Sequence, residues 1–137
     1  MALNNGINPK VKGFNFEPVF LTADDSDSTL NAIPAGVSVV HVVGVTNDAT
    51  DYVFLPPVAS VQDGFEITLL CEAGANFELR TPADSAEEIN SEDCDGTKEY
   101  LCTDTESVII IKISDALGWM AHGYTNLGAV APAVVPD

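Results

Sequence analysis

Phe65-Glu66-Ile67-Thr68-Leu69-Leu70-Cys71-Glu72 decides the fold class of this chain. Phe65, Ile67, Leu69 and Cys71 alternate with Glu66, Thr68, Leu70 and Glu72. That period of two marks a strand with one buried face and one mostly wet face. Gln62-Asp63-Gly64 is the turn in front of it. Behind it, Glu72-Ala73-Gly74-Ala75 leads into a second alternating segment, Asn76-Phe77-Glu78-Leu79-Arg80, and the short connection predicts a hairpin.

The same unit of short apolar stretch and turn recurs from Val37 to Tyr124. Val37 to Val45 is β-branched with apolar residues on both faces, which predicts a central strand covered on both sides. Tyr52 to Leu55 is a short strand stopped by Pro56-Pro57, whose missing N–H donors cannot continue a ladder. Lys98 to Cys102 is extended, and Ser107 to Ser114 sets Ile109, Ile111 and Ile113 on one face. Leu117-Gly118 then turns into Trp119 to Gly123. Seven or eight such strands, with no helical period between them, predict an all-β fold: an antiparallel β-sandwich or a small jelly-roll-like barrel.

Residues 1–18 read as an extended N-terminal arm, because Asn4, Asn5, Gly6, Asn8, Pro9 and Gly13 interrupt every period. Residues 19–124 form a single β domain, and 125–137 an extended, apolar C-terminal tail expected to lie against something. Phe14, Phe16 and Phe20 would be exposed in a free arm, so they are expected to dock on this core or on a partner.

Charge is the outlier. The 137 residues hold 21 acids against five lysines and arginines, a net charge of −16. Lys10 and Lys12 give the stretch from Met1 to Phe16 a charge of +2, so the remaining residues sum to −18. Such a surface repels phosphate backbones and anionic lipid, which argues against nucleic acid or a membrane as partner. No run approaches the roughly 18 apolar residues of a bilayer span, and no secretory signal core is evident, so a soluble species is expected. Asp84 to Glu106 carries nine acids against Lys98 and reads as a solvated loop.

Reactive chemistry finds little purchase. His41 and His122 are the only imidazoles, and no nucleophile motif accompanies them. Asp25-Ser26-Asp27-Ser28-Thr29 begins like a calcium loop, but Leu30 and Gly36 stand where glycine and glutamate are required. Glu66 and Glu78 would face each other on the wet side of the expected hairpin, an arrangement also common on ordinary surfaces. Cys71, Cys94 and Cys102 are odd in number, and Cys71 and Cys102 fit small buried hydrophobes. No catalytic residue, cofactor or metal ligand is therefore assigned.

From Val39 to Tyr124 the layout resembles the capsid decoration, or cement, proteins of tailed bacteriophages and related fibre-type modules. The residues that carry the likeness are a Val-rich strand, Tyr52-Val53-Phe54-Leu55-Pro56-Pro57, Asp63-Gly64 leading into Phe65-Glu66-Ile67-Thr68-Leu69, Asn76-Phe77-Glu78-Leu79, Glu88-Ile89-Asn90, Ser107-Val108-Ile109-Ile110, and Gly118-Trp119 with Gly123. The resemblance implies a symmetric, trimeric virion protein on the outer capsid surface, made in the host cytoplasm, that clamps neighbouring subunits of the major capsid protein. The alternatives are a receptor-binding or fibre module of a phage virion and a carbohydrate-binding β-sandwich. Under the cement reading, Lys10, Lys12, Phe14, Phe16 and Phe20 are the expected contact residues.

Overall fold

Alternation along the chain builds two sheets that share one core. The structure, a computed structural model, describes residues 17–24, 31–45, 51–71, 77–96, 98–102, 107–124 and 135–136. The strands are β1 (Val19–Ala23), β2 (Val39–Val45), β3 (Tyr52–Phe54), β4 (Glu66–Cys71), β5 (Phe77–Arg80), β6 (Glu88–Ile89), β7 (Glu92–Asp93), β8 (Lys98–Cys102), β9 (Ser107–Ser114), β10 (Gly118–Tyr124) and β11 (Val135–Pro136). Seven of them form a sheet in the order β1-β2-β4-β9-β10-β6-β7, and four a second sheet in the order β11-β8-β5-β3. A single 3₁₀ turn, Val58–Ser60, is the only helical element among the described residues.

The chain is all-β, and its sheets are mixed rather than antiparallel throughout. β9 runs antiparallel to both β4 and β10, but β1 with β2, β2 with β4, and β3 with β5 are parallel pairs. The hairpin expected across Glu72 to Ala75 does not form: β4 lies in the large sheet, and β5 in the small one between β3 and β8. Alternation fixes which side chains are buried together; it does not fix which strand is the neighbour.

Between the sheets sit Val40, Val42, Ile67, Leu69, Val108 and Ile110 from the large sheet, facing Phe77, Leu79, Tyr100 and Val53 from the small one. Each such side chain, taken fully out of water, contributes about 1.5–3 kcal/mol. Trp119 and Ile89 extend the core, so the acidic stretch, expected as a solvated loop, is tied to the body of the domain through Ile89. There β6 and β7 form a two-residue hairpin, with Asn90 at φ 56° and Ser91 at φ 69°. Positive φ at both central residues is what a type I′ turn demands, and asparagine tolerates it well. Cys71, Cys94 and Cys102 are buried thiols.

The two sheets are stitched at both sides. Asn31, fully buried, donates its side-chain amide to the Asp24 carbonyl at 2.6 Å and the Tyr52 carbonyl at 2.7 Å. This joins the end of β1 to the start of β3, where Asp24 and Tyr52 also form a bridge. On the other side β7 lies against β8, and Lys98 pairs with Glu92. The tail expected to lie against something does so at Val135–Pro136, which adds β11 to the edge of the small sheet opposite Glu99 and Lys98.

Candidate functional site: the outer face of the seven-stranded sheet

Strand registers place three rows of side chains on the outside of the large sheet, because directly opposed residues share a face. One row runs Phe20, His41, Leu70, Ser107, Tyr124. The next runs Val39, Thr68, Ile109, His122, and the third Glu66, Ile111, Met120. In a chain with 21 acids, these rows hold one carboxylate, Glu66, together with both of the chain's histidines.

Two bulges enlarge the apolar surface. The register of β1 on β2 jumps from Val42 to Gly44, and that of β9 on β10 from Lys112 to Ser114. The extra residues are Val43 and Ile113, and each points outward, 39% and 37% exposed. With Phe20 at 61% and Leu70 at 42%, they leave more aliphatic and aromatic surface in water than scattered single residues would. The edge of this face also carries Leu117, 61% exposed, on the turn between β9 and β10.

Two hollows flank the rows. One, of about 330 Å³, is lined by Val39, Phe65, Glu66 and Thr68; the other, of about 310 Å³, by Asn90, Ile113, Leu117 and Met120. Leu117 borders the second hollow and Phe20 projects from the first row, so the face has both knobs and sockets.

β2 was expected to be covered on both faces. Its inner side chains Val40 and Val42 are fully buried, whereas Val39 and His41 are only half-buried and Val43 is exposed. The pattern of a doubly covered strand is present in the residues, and among the described residues its outer side is only partly covered. Ile109, Ile111 and Ile113 do share a face, and it is this outer one.

The inward partner of those isoleucines is Lys112, which is buried. Its ammonium reaches the end of the sheet, donating to the Val61 carbonyl at 2.7 Å and pairing with Asp115 at 2.5 Å and Asp63 at 3.1 Å. The bond to Asp115 holds the amine above its ordinary pKa, against the opposing pull of desolvation. Lys112 therefore serves as a structural pin between two turns.

Phe20 is the one expected contact residue within the described part of the chain. Its ring lies on the outer face, tilted against His41 with centroids 5.5 Å apart. Lys10, Lys12, Phe14 and Phe16 lie outside the described residues. Leu70, Ile109, Ile111 and Met120 join the face without having been singled out as contacts; the run Ile109, Ile111, Ile113 was the signal for them.

Glu66 and Glu78, the paired carboxylates of the expected hairpin, are apart. Glu66 stands on the large sheet and Glu78 on the small one, so the facing pair expected on a shared hairpin is not formed. Glu78 is buried and bound by Arg80, whose Nε donates to it at 2.7 Å while the guanidinium lies 4.5 Å from the Tyr52 ring centre. Among the described residues no group of three or more His, Cys, Asp and Glu is placed to hold a metal ion. Among them, too, no helix is long and apolar enough to cross a membrane.

Against known protein families, curated proteins and solved structures, the chain matches none. The outer face must therefore be interpreted from its own chemistry. It offers exposed apolar area and low charge in a chain that is strongly acidic elsewhere.

Proposed function

We propose that this chain is a structural virion protein that decorates an icosahedral phage capsid on its outer surface, acts as a homotrimer and bridges neighbouring subunits of the major capsid protein. The observation that supports an assembly role is the outer face of the seven-stranded sheet, apolar and nearly free of carboxylate in a chain of net charge −16. Covering one exposed Leu or Ile there adds about 1.5–3 kcal/mol at most, so several together supply a useful association energy. In this reading the arm bearing Lys10, Lys12, Phe14 and Phe16 reaches the shell, the acidic surface stays in solvent, and the chain performs no catalysis and takes no cofactor or metal.

The test is to mix purified protein with undecorated shells. Saturable binding at a stoichiometry fixed by capsid symmetry, with raised resistance of the shells to heat, is the expected result. Binding to host cells or to saccharide arrays in place of shells would overturn it in favour of a receptor-reading or carbohydrate-binding module. A chain lacking residues 1–16 should occupy shells less completely than the full chain.

A further inference from the structure

We infer that the outer face of the seven-stranded sheet is where copies of this chain meet one another. The inference names the partner at the face invoked above and so rests on the assembly reading. Charge is the argument that selects the partner. A basic protein would be drawn to the carboxylates spread over the rest of the chain, where attraction and steering are strongest. A second copy is itself strongly acidic and is repelled from those same surfaces. Its approach is unopposed only where carboxylates are missing, and the three rows from Phe20, Val39 and Glu66 across to Tyr124, His122 and Met120 contain one.

Shape points the same way. Five strands at about 4.8 Å spacing, each with roughly five residues outward and inward, give a face about 20 Å across and 17 Å tall. On it the projecting side chains Phe20 and Leu117 and the two hollows beside Val39 and Met120 occur together. One surface thus presents both the knobs and the sockets that a self-contact needs. The pattern of β2, largely apolar on both sides with the outer one only partly covered among the described residues, also fits a strand whose second cover is another copy.

The partition is specific. Contacts between copies should leave the carboxylates of Asp84 and Asp93, both exposed, in solvent, because burying them would set acids against acids. They should also become stronger in salt, because screening removes residual repulsion between the two bodies without weakening apolar contact.

Sedimentation of the full chain over a concentration series, without any shells, tests this. The wild-type chain should sediment as a multiple of 14.4 kDa. Leu70→Glu and, independently, Val43→Glu should weaken association at least tenfold while leaving the circular dichroism spectrum of the fold unchanged, since both side chains point away from the core. Ala59→Glu, on the exposed 3₁₀ turn, should associate as wild type. A wild-type chain that stays monomeric at every concentration overturns the inference, as does a Leu70→Glu chain that associates normally or an Ala59→Glu chain that dissociates. Self-association without shell binding would leave this surface assigned and overturn the capsid reading alone; shell binding by wild type together with a Leu70→Glu chain that associates normally would overturn the surface and leave the capsid reading standing.

Discussion

Gly118 lies directly against the backbone of Glu88. A Cβ at position 118 would fall inside the carbonyl oxygen of Glu88, with the Glu88 nitrogen 2.9 Å away, and the residue sits at φ +66°. The close approach lets β6 lie beside the start of β10, where Trp119 is in register with Ile89. Gly118→Ala should therefore detach β6 and β7 from the sheet. The left-handed backbone alone costs an alanine about 1–2 kcal/mol, and the clash with backbone atoms adds to it. Thermal unfolding of the variant should show a clear loss, and amide exchange should rise first at Ile89 and Trp119; an unchanged melting temperature would contradict the packing described.

Asn90 continues that junction with its side chain in place of a strand. Its Nδ2 donates to the Ala121 carbonyl at 3.0 Å and its Oδ1 accepts from the Ala121 N–H at 2.9 Å, the two bonds a neighbouring residue in a ladder would make. Asn90→Ala loses both, and alanine is less at ease at φ 56°. At about 1 kcal/mol net per hydrogen bond, the expected destabilisation is roughly 2 kcal/mol. Asn90→Asp keeps the acceptor and loses the donor, so it should fall between the two in chemical denaturation. Equal losses in both variants would mean that the amide contributes through the turn geometry instead.

Lys112 shows why only part of this architecture could be read beforehand. Strands at 98–102 and 107–114 have the limits that alternation gives them, and those at 39–45, 52–54 and 118–124 differ from expectation by a residue or two at their ends. Pairing was not legible, because period two specifies faces and leaves neighbours open. Nor was the direction of the faces of β9. A lysine between isoleucines suggests that the isoleucines point to the core, but the ammonium escapes along the sheet to Val61, Asp63 and Asp115, and Ile109, Ile111 and Ile113 turn outward. Likewise Glu78 alternates like a wet residue and is buried because Arg80 neutralises it. Those long-range partners are fixed by tertiary geometry, so the outer face, the candidate site itself, was visible only as Phe20 and as three isoleucines on one side of a strand.

The same lysine gives an alkaline signature. Its amine is held above the ordinary lysine value of 10.5, first by Asp115. A group whose pKa is higher in the folded than in the unfolded chain stabilises the fold fully below the unfolded value and loses that contribution as pH rises through the folded value. Wild-type melting temperatures should fall above about pH 10.4. Lys112→Met, which leaves the Val61 carbonyl without its donor, should melt lower at neutral pH and show a shallower alkaline fall. Identical alkaline slopes in the two chains would remove Lys112 from that role.

Glu87 is shifted in the same direction at the acid end, for a different reason. Both its carboxylate oxygens accept from the Val58 N–H, at 3.1 and 3.2 Å, which anchors the 3₁₀ turn. Burial nonetheless raises its pKa above 4.5, outweighing the Val58 bond and the nearby Lys112 charge. A carboxyl that holds its proton more tightly in the fold than in the unfolded chain favours the fold at low pH, and that contribution is lost as pH rises from the unfolded value through the folded one. Glu87→Gln retains an oxygen for Val58 and removes the ionisation. Measured against wild type, its melting temperature should compare more favourably at pH 7 than at about pH 4, since other acids titrate alike in both chains and cancel. A variant that compares worse at pH 7 would mean that the charged hydrogen bond to Val58 outweighs desolvation, and the direction assigned to Glu87 would be reversed.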